Sequence, residues 1–407
     1  MRNGTFRGVA TAGMAVMMVA LALAGCAQGA AHGATATPST DARATTAAPA
    51  ALAWRAVALP PGVELASETS GASYVISPVD GRDAWLCAPL AAGGFAIWST
   101  GDAGANWRRV GTLALSMPEP PMCTLVADQM DPRTLGAVLM YGSGEAGTLH
   151  SVSALSGDGG ASWHAVPGDT QLAEVATTGG TTYAIVRNIT GGTAGAGGGP
   201  PGIAISADGL RTWRDARPSG LAANDSFFQF WLNPATREML AASGANTLWR
   251  SGDGGASWTR LHTPDMQVTL GVWLAAARQW RLCGGAQTPA LTILCSVDLG
   301  ATWTPQPALT ATLQCASCGK WGAPVNDTQP CPPSAIAADG ALLADCPTNG
   351  SAPGSGETTL WRLAPGAAAW ATLGITPGPW LIAAASGPLW CWDTQHATLA
   401  VTPASGL

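Results

Sequence analysis

Charge is scarce in this 407-residue chain: only 11% of residues are Asp, Glu, Lys or Arg, and Lys320 is the single lysine. With a net charge of −6 there is no basic stripe for nucleic acid, and no electrostatic case for binding an anionic lipid surface. Histidine is also sparse. His32, His150, His164, His262 and His396 stand in no metal-ligand or nucleophile spacing, so no metal or other cofactor is expected. The glycine-rich run from Thr190 to Gly202 lacks the lysine and following helix of a phosphate-binding loop, and reads as a connection between strands. Tyrosine occurs three times against eighteen tryptophans, so aromatic bulk is supplied almost entirely by one residue type.

Those tryptophans recur at the end of one short phrase. It reads Ser156 to Trp163 (SGDGGASW), Ser251 to Trp258 (SGDGGASW) and Ser296 to Trp303 (SVDLGATW), with looser copies at Thr100 to Trp107 and Ser206 to Trp213. The aspartates Asp102, Asp158, Asp208, Asp253 and Asp298 are separated by 56, 50, 45 and 45 residues, periods that signal a solenoid or a propeller. Asp binds nearby backbone N–H groups and Gly accepts positive φ, so the phrase is expected to close a hairpin. Short apolar runs flank it, as in Thr247 to Arg250 and Trp258 to Leu261, the texture of a four-stranded antiparallel blade. The closing rings Trp107, Trp163, Trp213, Trp258 and Trp303 are expected to be buried, with each indole N–H satisfied by its own turn. Leu210 occupies a usual glycine position, which predicts a distorted third turn.

The phrase resembles the Asp-box, or BNR, repeat of sialidases, oligoxyloglucan-type glycoside hydrolases, sortilin-like receptors and propellers similar to photosystem II assembly factors. The resemblance covers roughly residues 54 to 402 and implies an all-β propeller in which the box aspartates are structural. After Trp303 a sixth blade is legible in Thr359 to Arg362 and Trp370 to Leu373, with its box eroded to Ala364-Pro365-Gly366. Three further strands follow without a closing one, and Trp54 to Val57 matches the missing strand. A single seven-bladed propeller results, its last blade closed by the amino-terminal strand, with six or eight blades as alternatives.

The chain begins with a basic segment, an apolar run from Val9 to Leu23, and Leu23-Ala24-Gly25-Cys26. Residues 1 to 25 read as an export signal, and its end resembles the bacterial lipobox, which makes Cys26 the expected lipidated residue. Residues 26 to 53, rich in Ala, Thr and Pro, form the expected disordered tether, and residues 54 to 407 the propeller. The protein is thus expected to be exported, held to the membrane on its extracytoplasmic face, and monomeric.

Export favours disulfides among the remaining cysteines. Cys283 with Cys295, and Cys87 with Cys123, are the expected pairs; Cys315, Cys318, Cys331 and Cys346 should form two more, with zinc binding or Cys315–Cys318 redox chemistry as alternatives. Cys391 is left over.

Catalytic groups are expected on the face opposite the boxes. Candidate carboxylates there are Glu119, Glu145, Asp169, Asp215, Asp225, Asp265, Asp327, Glu357 and Asp393, and glycoside hydrolysis would need two of them at a set separation. The sialidase resemblance implies an arginine triad and a Tyr–Glu pair, yet among Tyr74, Tyr141 and Tyr183 only Tyr141 lies near such a loop, with Glu145 beyond it. Trp98, Trp231, Trp273, Trp321, Trp380 and Trp392 could stack on sugars or anchor a protein, although packing is the expected use of each. A non-catalytic binding or assembly propeller with a protein or glycan ligand is the leading expectation, and an extracellular glycoside hydrolase the alternative.

Overall fold

The computed structural model describes residues 52–63, 73–76, 80–91, 93–114, 122–143, 148–168, 170–188, 202–222, 225–286, 291–315, 325–347, 358–376, 380–383, 387–393 and 398–402. The chain divides into two units, Met1–Ala48, which lies outside the described residues, and Pro49–Leu407.

The second unit is all-β. Its first strand, β1 (Arg55–Ala56), is followed by a blade made of β2 (Ser73–Ile76), β3 (Ala84–Pro89), β4 (Phe95–Thr100) and β5 (Arg108–Leu113). The second blade is β6 (Met122–Ala127), β7 (Leu135–Ser143), β8 (Thr148–Ser156) and β9 (His164–Ala165). The third is β10 (Thr170–Thr178), β11 (Thr181–Asn188), β12 (Gly202–Ser206) and β13 (Arg214–Asp215). The fourth is β14 (Phe227–Leu232), β15 (Met239–Ser243), β16 (Leu248–Ser251) and β17 (Thr259–Leu261). The fifth is β18 (Gln267–Leu274), β19 (Gln279–Ala286), β20 (Thr292–Ser296) and β21 (Thr304–Pro305). A two-stranded ribbon, β22 (Thr310–Cys315) and β23 (Val325–Pro330), precedes the sixth blade of β24 (Ala335–Ile336), β25 (Leu342–Pro347), β26 (Thr358–Leu363) and β27 (Ala371–Thr376). The last three strands are β28 (Trp380–Ala383), β29 (Leu389–Asp393) and β30 (Thr398–Val401).

Seven four-stranded antiparallel sheets result, and the seventh has the order β1-β30-β29-β28. The expected closure is therefore present: Arg55 stands opposite Val401, Ala56 opposite Ala400, and the Val57 N–H reaches the Leu399 carbonyl at 2.8 Å. The first strands of the first six blades touch in succession, placing them nearest the axis. Apolar side chains fill the spaces between sheets, as where Ile185, Ile203 and Ile205 of the third blade meet Phe227, Phe230, Met239 and Trp249 of the fourth. The ribbon was not expected. Its Leu309 and Ala311 pack on Trp361 and on the Cys331–Cys346 disulfide, which joins the end of the ribbon to the sixth blade.

The five Ser-x-Asp turns share one hydrogen-bond scheme. In each, the carboxylate accepts the Ser or Thr hydroxyl two residues earlier and both the N–H and the side chain of the residue four later, while the early hydroxyl accepts the N–H two beyond the Asp, all at 2.5–3.0 Å. The third turn is undistorted, contrary to expectation. Leu210 takes the left-handed conformation at φ 64°, and full burial of its side chain beside Trp213 offsets that cost. At the same place the first turn has Gly104, where an added Cβ would stand 2.5 Å from Val57 of the closing strand.

The tryptophan expectation needs correction. The closing rings are half-buried, each packed against a core cluster. Only Trp163 bonds its own turn, at Gly160; Trp303 donates to His262 of the preceding strand connection, and the Trp107 and Trp258 indole nitrogens have no hydrogen-bond partner.

A further regularity links the blades. The carbonyl one residue beyond the turn Asp accepts a donor from the preceding blade in four turns: Ala103 from Arg55, Gly159 from Trp85, Gly209 from His164 and Gly254 from Arg214, at 2.6–3.2 Å. Three of these donors directly follow a strand-opening tryptophan, so the same dipeptide packs one blade and grips the next.

Two outcomes are expected. Ser156→Ala, which removes a buried hydroxyl bonded to Asp158 and Gly160, should lower the unfolding free energy by about 1–3 kcal/mol in denaturant melts. A loss near zero would contradict the role given to the turn. The carboxyls of Asp102 and Asp298 are held down at about 2 by their side-chain hydrogen bonds, first from Asn106 and Thr302 respectively, against an ordinary 3.8. Folded protein thus binds fewer protons than unfolded protein, and the contribution present above pH 3.8 should fade as the pH falls to about 2. Thermal melts of Asp102→Asn should show a flatter acid limb.

Candidate functional site

The expected opposite-face carboxylates do not assemble into a described pair. Glu119, Glu145, Asp169 and Glu357 lie outside the described residues, and Asp327 and Asp393 are on β23 and β29 with side chains that do too. Asp215 is not in an opposite-face loop: the strand after Trp213 is only two residues long, and Asp215 pairs with Ala204 on its outer edge. Asp225 is buried, accepting the Ser243 hydroxyl at 2.6 Å and the N–H groups of Ser226 and Ala245, which fixes the turn between β15 and β16. Asp265 is exposed.

The tryptophans considered as contact rings resolve similarly. Trp231 is buried, while Trp98 and Trp273 are half-buried against core clusters, the latter edge-on to Trp280 at 5.6 Å. Trp321 and the side chains of Trp380 and Trp392 lie outside the described residues. The disulfides Cys87–Cys123 and Cys283–Cys295 are present as expected, the first joining two blades and the second joining facing residues of one blade. Cys331 bonds Cys346, whereas Cys318 and the Cys315 side chain lie outside the described residues; Cys391 is buried on β29. Among the described residues no group of three His, Cys, Asp or Glu could hold a metal ion. No helix among them is long and apolar enough to cross a membrane.

Near the axis, the structure shows a cluster that motif reading did not find. Glu174 follows a bulge in β10, and its Oε2 accepts the Phe230 N–H of β14 at 2.8 Å and the Gln129 amide at 3.4 Å. Gln129 also donates to the Phe230 carbonyl at 3.3 Å, so two side chains satisfy both backbone groups of one residue on the inner edge of the fourth blade. Burial pushes the Glu174 carboxyl up to about 8, against the downward pull of the Phe230 and Gln129 hydrogen bonds and of the Arg187 charge. Beside it Asp128 is buried, bridging to Val175 and taking the N–H groups of Met130, Asp131 and Thr177.

A recess of about 560 Å³ opens on the Ser-x-Asp face between the third and fourth blades. Thr181, Tyr183, Ser206, Arg214, Thr236 and Arg237 line it, together with Asp253. The Arg214 guanidinium bridges the Gly254 and Gly255 carbonyls at 3.2 Å. Arg237 lies across Gly179, where a Cβ would stand 2.3 Å from its Nη2, and Gly179 takes a positive φ of 53°. The Tyr183 ring is 2% exposed, and burial raises its phenol while Arg237 and Arg214 act to lower it. Neither the Tyr183 hydroxyl nor the Arg237 guanidinium has a hydrogen-bond partner among the described residues. A second recess of about 350 Å³, between the second and third blades, sets Arg211 and His164 against Asp158 and Asp208.

No family model matches the chain, and no curated protein does. Solved structures do resemble it. YCF48 from Cyanidioschyzon merolae is 13% identical with a TM-score of 0.48, covering 86% of this chain and 99% of that one. YCF48 bound to D1 peptide is 15% identical with a TM-score of 0.34, covering 57% and 65%. An ancestral GH74 enzyme is 11% identical with a TM-score of 0.41, covering 87% and 48%. These likenesses are of fold.

The Glu174 carboxyl gives a testable pH dependence. Its folded value of about 8 exceeds the ordinary 4.5, so folded protein binds more protons across that window and stability should fall as pH rises through it. Glu174→Gln keeps an acceptor for Phe230 and removes the titration. Its melting temperature should therefore change less than that of the wild type between pH 5 and 8, and parallel profiles would refute the assignment.

Proposed function

We propose that this chain is a non-catalytic, extracytoplasmic binding or assembly propeller of the Asp-box type, tethered to a membrane as a lipoprotein through Cys26, with a protein or glycan as ligand. The observation that carries this reading is the recess between the third and fourth blades. Its walls belong to strands and turns already fixed by the blades, and it offers a guanidinium and a phenol with no partner among the described residues. Preformed concave sites with a few convergent polar groups suit ligand recognition. A ring closed by its own amino-terminal strand also keeps such walls rigid while the preceding residues serve as the tether.

One observation favours a second reading, an extracellular glycoside hydrolase. Asp128 bridges to Val175, next to Glu174, so two carboxyls stand on neighbouring inner strands near the axis, and burial raises that of Glu174 in the direction a general acid requires. On that reading Glu174→Gln abolishes hydrolysis of a susceptible glycan, and on the binding reading it leaves ligand retention unchanged.

The tether is tested by fractionating cells that express the full chain. Wild-type protein is expected with the membranes and Cys26→Ser in the soluble extracytoplasmic fraction, while identical distributions would exclude a lipid on Cys26. The ligand is sought with a glycan array and by retention of membrane components on the full chain. Failure of both under mild conditions contradicts the binding reading.

A further inference from the structure

Resting on that binding reading, we propose that the recess between the third and fourth blades takes the carboxylate of an acidic sugar, a uronate, with Arg237 and Arg214 holding the carboxylate and Tyr183, Thr181 and Thr236 meeting the ring hydroxyls. The site lies on the Ser-x-Asp face.

Charge makes the first part of the case. Two guanidiniums against the single carboxylate of Asp253 leave this recess cationic in a chain of net charge −6. Asp253 is turned into its own hairpin, where it accepts the Ser251 hydroxyl, the Ala256 and Ser257 N–H groups and the Ser257 hydroxyl. A planar guanidinium suits a carboxylate through paired N–H donors. Arg237 is exposed with its fork unengaged, and Arg214, although it grips Gly254 and Gly255, retains further N–H groups and its charge.

Construction makes the second part. Arg237 itself sits at a positive φ of 60°, in the turn between β14 and β15, and its guanidinium passes over Gly179 because that residue has no side chain. A residue with a Cβ at 179 would displace it, so the two positions form one device. The Tyr183 ring is locked in the core between the blades with its hydroxyl at the recess, beside Gly254.

The form of the ligand follows from what borders the recess. Of the strands there, β11 and β12 are paired on both sides, and the free edge of β13 is only the two residues Arg214–Asp215, too short for an extended peptide to join as a strand. Hydroxyl groups, which both donate and accept, are abundant instead, and they complement a ring that carries several hydroxyls next to one carboxylate. Recognition is by charge and hydrogen bonds, since the Tyr183 face is buried and unavailable for stacking.

The test is calorimetric titration of the full chain in detergent with glucuronate, glucose and N-acetylglutamate. Glucuronate is expected to bind at least about tenfold more tightly than either, Arg237→Ala to weaken it by about tenfold or more, and Arg237→Lys to weaken it less. Unchanged melting temperatures for these exposed-turn variants separate the effect from misfolding. Equal binding of glucose, indifference to Arg237→Ala, or preference for N-acetylglutamate, which would mark an acidic peptide site, each overturns the proposal. If glucuronate fails while a glycan or membrane partner is still retained, the uronate assignment falls and the binding reading stands; if nothing is retained, both fall.

Discussion

Closure of the seventh sheet by β1 is the constraint on which the rest of the ring depends. Without it β30 has an unpaired edge, and the first and seventh blades lose Arg55 on the Ala103 carbonyl and Val57 against Gly104, leaving the buried Trp390 indole of β29 on the Gly81 carbonyl to hold the joint. A propeller gains its stability from each sheet burying both faces against neighbours, so an open ring exposes two faces at once. A strand of two residues suffices because the segment around it is also anchored. Trp54 donates to Ile375, and Leu52 and Trp54 pack with Leu373 of the sixth blade.

The Ser-x-Asp turns carry that closure around the ring. Each satisfies its own backbone through one carboxylate and one hydroxyl, and in four of the five the carbonyl one residue beyond the Asp accepts a donor from the blade before it. A turn that is internally complete can thus serve as a rigid receptor for its neighbour. The disulfide between Cys87 and Cys123 adds a covalent link between the first two blades, where Trp85 makes the equivalent grip in place of a residue following a tryptophan.

Much of the architecture was legible because it is written in local, repeated terms. Hairpin turns need Asp and Gly within a few residues, so the periodic phrase located five blades, and matching of Trp54 to Val57 with other closing strands located the seam. The ribbon at Thr310 to Pro330 was missed because it breaks the period and brings no turn phrase of its own. The Leu210 turn was misread because local sterics were weighed without the core space that receives its side chain. Glu174 with Gln129, and Arg237 with Gly179, could not be paired from the sequence, since each pair is made by lateral packing of blades. The one available signal was a charged residue directly after a strand-opening tryptophan, as in Trp213-Arg214.

The functional account follows from this division of labour: repeated residues build and clamp the ring, and the non-repeated ones placed between blades are left to meet a ligand. The most direct test of the closure is native-state hydrogen exchange of the full chain carrying Val57→Pro, which deletes the N–H that bonds the Leu399 carbonyl. Loss of protection in β29, β30 and the neighbouring strands of the first blade, with the third and fourth blades still protected, is the predicted result. Wild-type protection throughout would show that the ring does not depend on its amino-terminal strand.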